Sequence, residues 1–249
     1  MSKKKKMLYI STPFSKESAN WLNNIGVKLF KIGSGEFNNL PLLGEILKYK
    51  KPLILSTGMN DISSIKKTVF FLNKKKIDFA LLHCVSDYPV KDKDLQLENI
   101  KYLKKKFPNI IIGYSDHSML LAPSIISMSY GAMIIEKHFT LSKKLKGPDI
   151  ICSMDGIGLK ELIKASKIYN LKKLSKRKIT ANEKNVSKFA FASVVSLKNI
   201  KKNETLDKSN IWVKRPGTGY FKSSDFDQLL GKKAKRNIKK NYQLKKKDV

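Results

Sequence analysis

Six short apolar runs recur along the first two-thirds of the chain: Leu8–Thr12, Val27–Ile32, Pro52–Ser56, Phe79–His83, Ile110–Tyr114 and Ala132–Glu136. Each is bounded by turn residues and lacks polar alternation, the pattern of strands buried on both faces. Between them lie stretches with apolar positions at helical spacing. Ser15–Asn24 carries Trp21 and Leu22, and Asp61–Lys76 places Ile62, Ile65, Val69 and Leu72 on one face. Lys93–Phe107 repeats this with Leu97, Ile100 and Leu103, and Gly158–Leu174 closes the series. Strand–helix alternation at this period predicts a parallel α/β sheet.

The polar residues gather at one place in every unit, just after the apolar run. They read Ser11-Thr12-Pro13-Phe14, Lys31-Ile-Gly-Ser-Gly-Glu36, Ser56-Thr57-Gly58, His83-Cys-Val-Ser-Asp-Tyr-Pro89, Gly113-Tyr-Ser-Asp-His117 and Glu136-Lys-His-Phe-Thr140. Chemistry at the carboxyl ends of successive parallel strands favours a TIM-type barrel over a doubly wound sheet, which binds chiefly at its switch point. A closed barrel of this kind has eight strands, so the runs predict a partial one. Beyond it the pattern changes. Residues 175–188 are polar and read as a linker, and 189–249 read as a small, mostly β domain with strands at Phe189–Val195 and Asn210–Val213. Its Lys-rich end reads as a solvated tail. The expected domains are therefore 1–174, the linker 175–188, and 189–249.

Charge changes this picture less than its size suggests. The 249 residues carry a net charge of +31, which invites nucleic acid as a partner. All but three of the 51 Lys and Arg residues are lysines, however, and they are spread over nearly every polar stretch. Arginine is the usual reader of guanine edges and the better bidentate phosphate clamp, so no specific nucleic-acid partner is expected. Two cysteines, Cys84 and Cys152, exclude a disulfide scaffold. No apolar run reaches the roughly 18–20 residues of a membrane span. A cytoplasmic protein without a membrane partner is the expectation.

Two constellations offer chemistry. His117 and His138 end successive predicted strands beside acidic residues, and two imidazoles with open positions suit a catalytic divalent metal. Asp149 lies on the following loop, where it could join that site. The alternative is that each histidine is a satisfied core or loop residue; their equivalent placement favours ligation. The second constellation is Thr12, Ser34, Ser56, Thr57 and Ser115 with Lys31, a set of donors suited to phosphate or carboxylate. Glu36 is either a general base beside this site or a charge at a helix start. Cys84 reads as a buried structural thiol rather than a nucleophile. No Walker A loop and no GxGxxG is present.

These strings, in this order, resemble the N-acetylneuraminate (sialic acid) synthase family. The resemblance rests on Ser11-Thr-Pro-Phe14, Lys31-Ile-Gly-Ser-Gly-Glu36, Leu55-Ser-Thr-Gly-Met59, Leu82-His-Cys84 with Tyr88-Pro89, Ser115-Asp-His117, Glu136-Lys-His-Phe-Thr140 and Gly147-Pro-Asp149. It continues in Phe189–Val195 and Trp212-Val-Lys-Arg-Pro-Gly217, where the small domain resembles the antifreeze-like (SAF) domain. It implies a TIM barrel that condenses phosphoenolpyruvate with N-acetylmannosamine, giving N-acetylneuraminate and phosphate, with Mn2+ or Mg2+ as cofactor. By the resemblance, His117 and His138 hold the metal. Thr12, Lys31, Ser34, Ser56, Ser86, Tyr88 and Ser115 contact phosphoenolpyruvate, and Glu36 and Asp149 lie near sugar and metal. Arg215 reaches the sugar site of the partner in a domain-swapped homodimer. Family members begin with about a hundred further residues supplying two barrel strands. The chain is accordingly expected to be an N-terminally truncated or split synthase, its missing strands coming from upstream sequence or a separate chain, and inactive alone. A non-catalytic remnant is the other expectation, and a legionaminate-type synthase a third. Gly33-Ser-Gly-Glu36 and Gly147–Cys152 lean towards the N-acetylneuraminate type.

Overall fold

In the computed structural model, which describes residues 7–171 and 177–249, the chain falls into two units, Met1–Lys173 and Leu174–Val249. The first unit is a partial TIM barrel. Its five parallel strands are β1 (Phe30–Ile32), β2 (Leu53–Ser56), β3 (Phe79–Cys84), β4 (Ile111–Asp116) and β5 (Ile135–Lys137), hydrogen-bonded in chain order. Helices α1 (Lys16–Asn24), α2 (Leu40–Leu47), α3 (Ile62–Lys74), α4 (Glu98–Lys106), α5 (Ala122–Tyr130) and α6 (Gly156–Asn170) precede, separate and follow them. Chain-order parallel pairing with a helix between strands is the βαβ repeat that the sequence pattern predicts.

Local chemistry sets the helix starts. Ser15 and Ser18 form a capping box for α1, while Asp61 caps α3 through Ser64 and Asp155 caps α6. The core lies between sheet and helices, where Phe30, Ile32, Phe37, Leu43, Ile46, Leu55, Leu72, Leu81 and Ile100 are fully buried. Helices α2 and α5 lie outside the set expected from periodicity. Leu42, Leu43, Ile46 and Leu47 of α2 are all buried, so this short helix is held by burial rather than by a long amphipathic repeat.

Several expectations change, among them the strand expected from Phe189, which begins only at Ser193 because Phe189 and Ala190 close a helix. Leu8–Thr12 is not a strand: it gives β1 a single backbone bond, Lys31 N to Ser11 O at 3.2 Å, and Leu8 and Tyr9 remain 64% and 56% exposed. With no partner on its outer side among the described residues, the apolar run has nothing to bury it. The helix expected over Lys93–Phe107 starts only at Glu98, because Gln96 takes a positive φ of 49° that ends the preceding 3-10 turn. Part of the expected linker is helical: α7 (Ala181–Ala190) begins at a capping box made by Thr180 and Glu183. The expected junction at Leu174 and Ser175 lies outside the described residues.

The second unit contains α7, then β6 (Ser193–Ser196) antiparallel to β7 (Ile211–Lys214), and the short helix α8 (Phe226–Leu229). Val194, Ile200, Leu206, Ile211, Leu229, Ala234, Ile238 and Leu244 form its core. The closing segment is not merely a solvated tail. Leu244 is fully buried, and the buried Asp248 carboxylate accepts from Arg236 Nε and from the Lys245 backbone N–H. The lysines at 245–247 are the exposed part of this anchored turn.

Candidate active site

Alternation along each strand decides which polar side chains meet. Lys31 on β1, Ser56 at the end of β2, Cys84 at the end of β3, Ser115 on β4 and Glu136 on β5 all line one cleft of about 410 Å³. Thr12, Phe14, Ser34, Tyr88, His117 and His138 join them from the segments flanking the strands. Lys31 is 9% exposed, and its Nζ donates to Ser56 Oγ at 2.8 Å and to the Ile32 carbonyl at 3.1 Å.

The lysine faces a carboxylate that sequence reasoning did not single out. Glu136 Oε2 lies 3.5 Å from Lys31 Nζ, accepts from Ser115 Oγ at 2.7 Å and is 3.4 Å from Ser56 Oγ. Burial lowers the Lys31 pKa and the Glu136 charge opposes that fall. Only the Glu136-Lys-His138 string pointed at this residue. Its role as the counter-charge of Lys31 needs the barrel to bring β1 and β5 face to face.

Ser34 follows β1 in a tight turn and accepts a bond from Gly58 N at 3.1 Å, while its Oγ lies 3.6 Å from Cys84 Sγ. Gly58 is required here, since a Cβ would stand 2.2 Å from Ser86 Oγ and 2.8 Å from Ser34 Oγ. Thr57 is spent on the fold: its hydroxyl donates to the Leu82 carbonyl at 3.0 Å.

The histidine pair lines the same cleft. The rings of His117 and His138 have centroids 5.3 Å apart, with Tyr88 4.1 Å from the first and 5.7 Å from the second. His117 Nδ1 is 2.8 Å from the Val85 carbonyl, an acceptor only, so this nitrogen carries a proton, and in the neutral ring Nε2 holds the lone pair a metal would need. His138 Nδ1 faces Asp149 Oδ2 at 3.6 Å, the carboxylate–imidazole arrangement common behind metal ligands. Burial alone would lower the His117 pKa, but the Cys84 and Val85 contacts and the Glu136 charge leave it raised. His138 is lowered, by burial first and then by His117.

A divalent ion fits this donor set. With N–metal distances of about 2.1 Å, a ring centre stands roughly 3.3 Å from its ion, so two ligands can share one ion across the 5.3 Å separating these rings. Among the described residues no three His, Cys, Asp or Glu side chains form a ready-made cage. An ion held by the two imidazoles alone would leave its other positions to water or substrate.

Glu36 does not line the cleft; its carboxylate accepts from Asn39, the N-cap of α2, at 2.6 Å. Ser86 sits 4.0 Å from Cys84 Sγ and lines a neighbouring cavity of about 570 Å³ between α3 and α4. Arg215 is exposed in the second unit, just beyond β7. His83 is buried, bonds the Leu95 carbonyl at 2.9 Å and stacks on Tyr114, with its pKa lowered by burial. It is a neutral core residue.

A sequence model described as the NeuB family matches residues 1–179. The chain belongs to the NeuB family. Residues 191–249 match the SAF domain. The chain is 37% identical to N,N'-diacetyllegionaminic acid synthase of Campylobacter jejuni, over 96% of its own length and 72% of that protein's. It is 34% identical to pseudaminic acid synthase of the same species, covering 97% of itself and 70% of the relative. Among solved structures, N-acetylneuraminic acid synthetase from Leptospira borgpetersenii superposes with a TM-score of 0.67 at 36% identity, covering 74% of this chain and 65% of that one. These NeuB-family relatives are nonulosonic acid synthases, and three sugar specificities stand at nearly equal similarity. No helix among the described residues is long and apolar enough to cross a membrane.

Proposed function

We propose that this NeuB-family chain carries the catalytic cleft of a synthase that condenses phosphoenolpyruvate with N-acetylmannosamine, giving N-acetylneuraminate and phosphate. The observation that carries the reading is the junction, in one cleft, of a buried cation with hydroxyl donors (Lys31, Ser56, Ser115) and a pair of imidazoles (His117, His138). The first set suits the phosphate and carboxylate of phosphoenolpyruvate. Bound Mn2+ or Mg2+ would supply Lewis-acid polarisation of the sugar aldehyde. The methylene carbon of phosphoenolpyruvate bonds to that aldehyde carbon, water adds at the neighbouring carbon, and the C–O bond to phosphate breaks. Lys31, Ser34, Ser56 and Ser115, with Thr12 and Tyr88, hold the two reactants in one geometry, and Ser86, on the neighbouring cavity, would contribute only by turning towards the cleft. Asp149 is assigned to the orientation of His138, which it faces at 3.6 Å, and Glu36 would serve the sugar only on release from Asn39. The cytoplasm, where phosphoenolpyruvate is made, is the proposed compartment. The 37% identity to an N,N'-diacetyllegionaminic acid synthase favours, as a second reading, a legionaminate-type synthase acting on a diacetylated amino sugar.

The test is phosphate release from phosphoenolpyruvate with Mn2+, using N-acetylmannosamine and its 2,4-diacetamido analogue in parallel. It is run on the 249-residue chain alone and co-expressed with the N-terminal strands of the Campylobacter relative. Release with either sugar in either arm supports the synthase; no release in any arm removes it.

We assign Arg215 to the sugar, contributed by a second copy in a homodimer. A guanidinium presents fixed donors that an ammonium cannot copy. Arg215→Lys is expected to raise the sugar KM about tenfold or more and to leave the phosphoenolpyruvate KM nearly unchanged. Heterodimers of an Arg215→Ala chain with a His117→Ala chain should regain activity; heterodimers that form and stay inactive would count against a role in trans.

A further inference from the structure

Behind the histidine pair lies a buried ion pair that the proposed chemistry does not use. Asp116 and Lys137 are the last residues of β4 and β5 and are partners in register, as Ser115 and Glu136 are one step before them. Their side chains are 0% and 1% exposed, with Lys137 Nζ 2.9 Å from Asp116 Oδ2. Lys137 Nζ also donates to the Ser118 carbonyl at 2.8 Å. Asp116 Oδ1 accepts from Ser118 N at 2.8 Å, and Ser124 of α5 donates to Oδ2.

His117 is thus bracketed. The residue before it and the residue after it are both tied to Lys137, and Lys137 immediately precedes His138. The β4–β5 ladder has three register pairs and stops at this point. Past the last rung each strand end is held to another segment, His117 O accepting from Val90 N at 3.1 Å and His138 O from Met154 N at 2.9 Å, while the Asp116–Lys137 pair joins the two ends to each other. A buried ion pair is a poor source of stability, because apolar residues of like volume often do as well. Its directional bonds, by contrast, hold geometry that apolar packing leaves loose.

We propose that Asp116 and Lys137 are positioning residues that set the separation and orientation of the His117 and His138 imidazoles, and through them the affinity for a divalent cation. Lys137 also lines the cleft, but its Nζ is engaged by Asp116 and the Ser118 carbonyl, so the role assigned to the pair is positioning. The proposal rests on the metal reading of the histidine pair.

The experiment is a Mn2+ titration by calorimetry on the 249-residue chain, with thermal unfolding measured alongside. Asp116→Leu combined with Lys137→Met replaces the pair by apolar volume and should weaken Mn2+ binding about 10- to 100-fold. Ser124→Ala, which removes one bond to Asp116 and keeps both charges, should weaken it about two- to fivefold and serves if the double variant does not fold. Leu72→Ala, a core truncation in α3, should lower the unfolding midpoint and leave Mn2+ affinity as in the parent, which separates positioning from stability. A folded double variant with parental affinity overturns the proposal, as does parental affinity in Ser124→Ala where the double variant is unfolded. Parental binding in His117→Ala removes the metal reading and this inference with it; loss in His117→Ala with retention in the double variant removes this inference alone.

Discussion

His117→Ala is expected to abolish measurable Mn2+ binding and to lower turnover by at least about a thousandfold. The imidazole is one of two adjacent histidines whose rings stand 5.3 Å apart, and its Nδ1 is already committed to the Val85 carbonyl. On the proposed metal reading its removal would leave one protein ligand, and Lewis-acid activation is worth several kcal/mol, each ~1.4 kcal/mol being tenfold in rate. The check is calorimetric titration with Mn2+ beside phosphate release. His83→Ala is the contrast, because that ring is buried against Tyr114 and bonded to the Leu95 carbonyl. It should cost stability and leave metal affinity intact. Undiminished Mn2+ binding by His117→Ala defeats the assignment.

Lys31→Met should have the next largest effect, lowering kcat/KM for phosphoenolpyruvate by about a hundred- to a thousandfold with little change in the sugar KM. Its ammonium sits among the cleft hydroxyls, 2.8 Å from Ser56 Oγ, in a place where burial strengthens each bond to an anion. The substitution also strands Glu136, which has Lys31 as its cationic neighbour at 3.5 Å. The double variant Lys31→Met/Glu136→Gln separates the two causes. If loss of the donor is responsible, the double variant stays as impaired as the single one. Recovery to near-parental kinetics would show instead that Lys31 only neutralises Glu136, and an unchanged phosphoenolpyruvate KM in Lys31→Met would remove the anion-site assignment.

Much of this was legible in the chain. Buried parallel strands leave continuous apolar runs, so β1 to β5 stand out, and strand ends are where a barrel exposes polar groups. Lys31, Ser34, Ser56, Ser115, His117 and His138 could all be picked from that rule, and all of them line the one cleft. Linear order misled where strength of pattern was not matched by a partner. Leu8–Thr12 has strand composition, yet only one backbone bond joins it to β1. The α2 segment has too few turns to show a period, yet burial of four of its side chains holds it.

The sequence by itself determined the periodicity, the caps and the residue types at each strand end, because these follow from neighbours within a few positions. It therefore determined the α/β class and the set of candidate ligands and donors. Pairings between distant positions were decided only by the tertiary structure. Glu136 acquires its meaning from Lys31, which is brought opposite it by curvature of the sheet. Glu36 lies near the cleft in sequence but spends its carboxylate on Asn39. Asp116 and Lys137 look like ordinary surface charges in the chain, and the β4–β5 register turns them into a buried clasp beside the histidines. Charge–charge contact depends on distance through space, and only the folded sheet sets that distance.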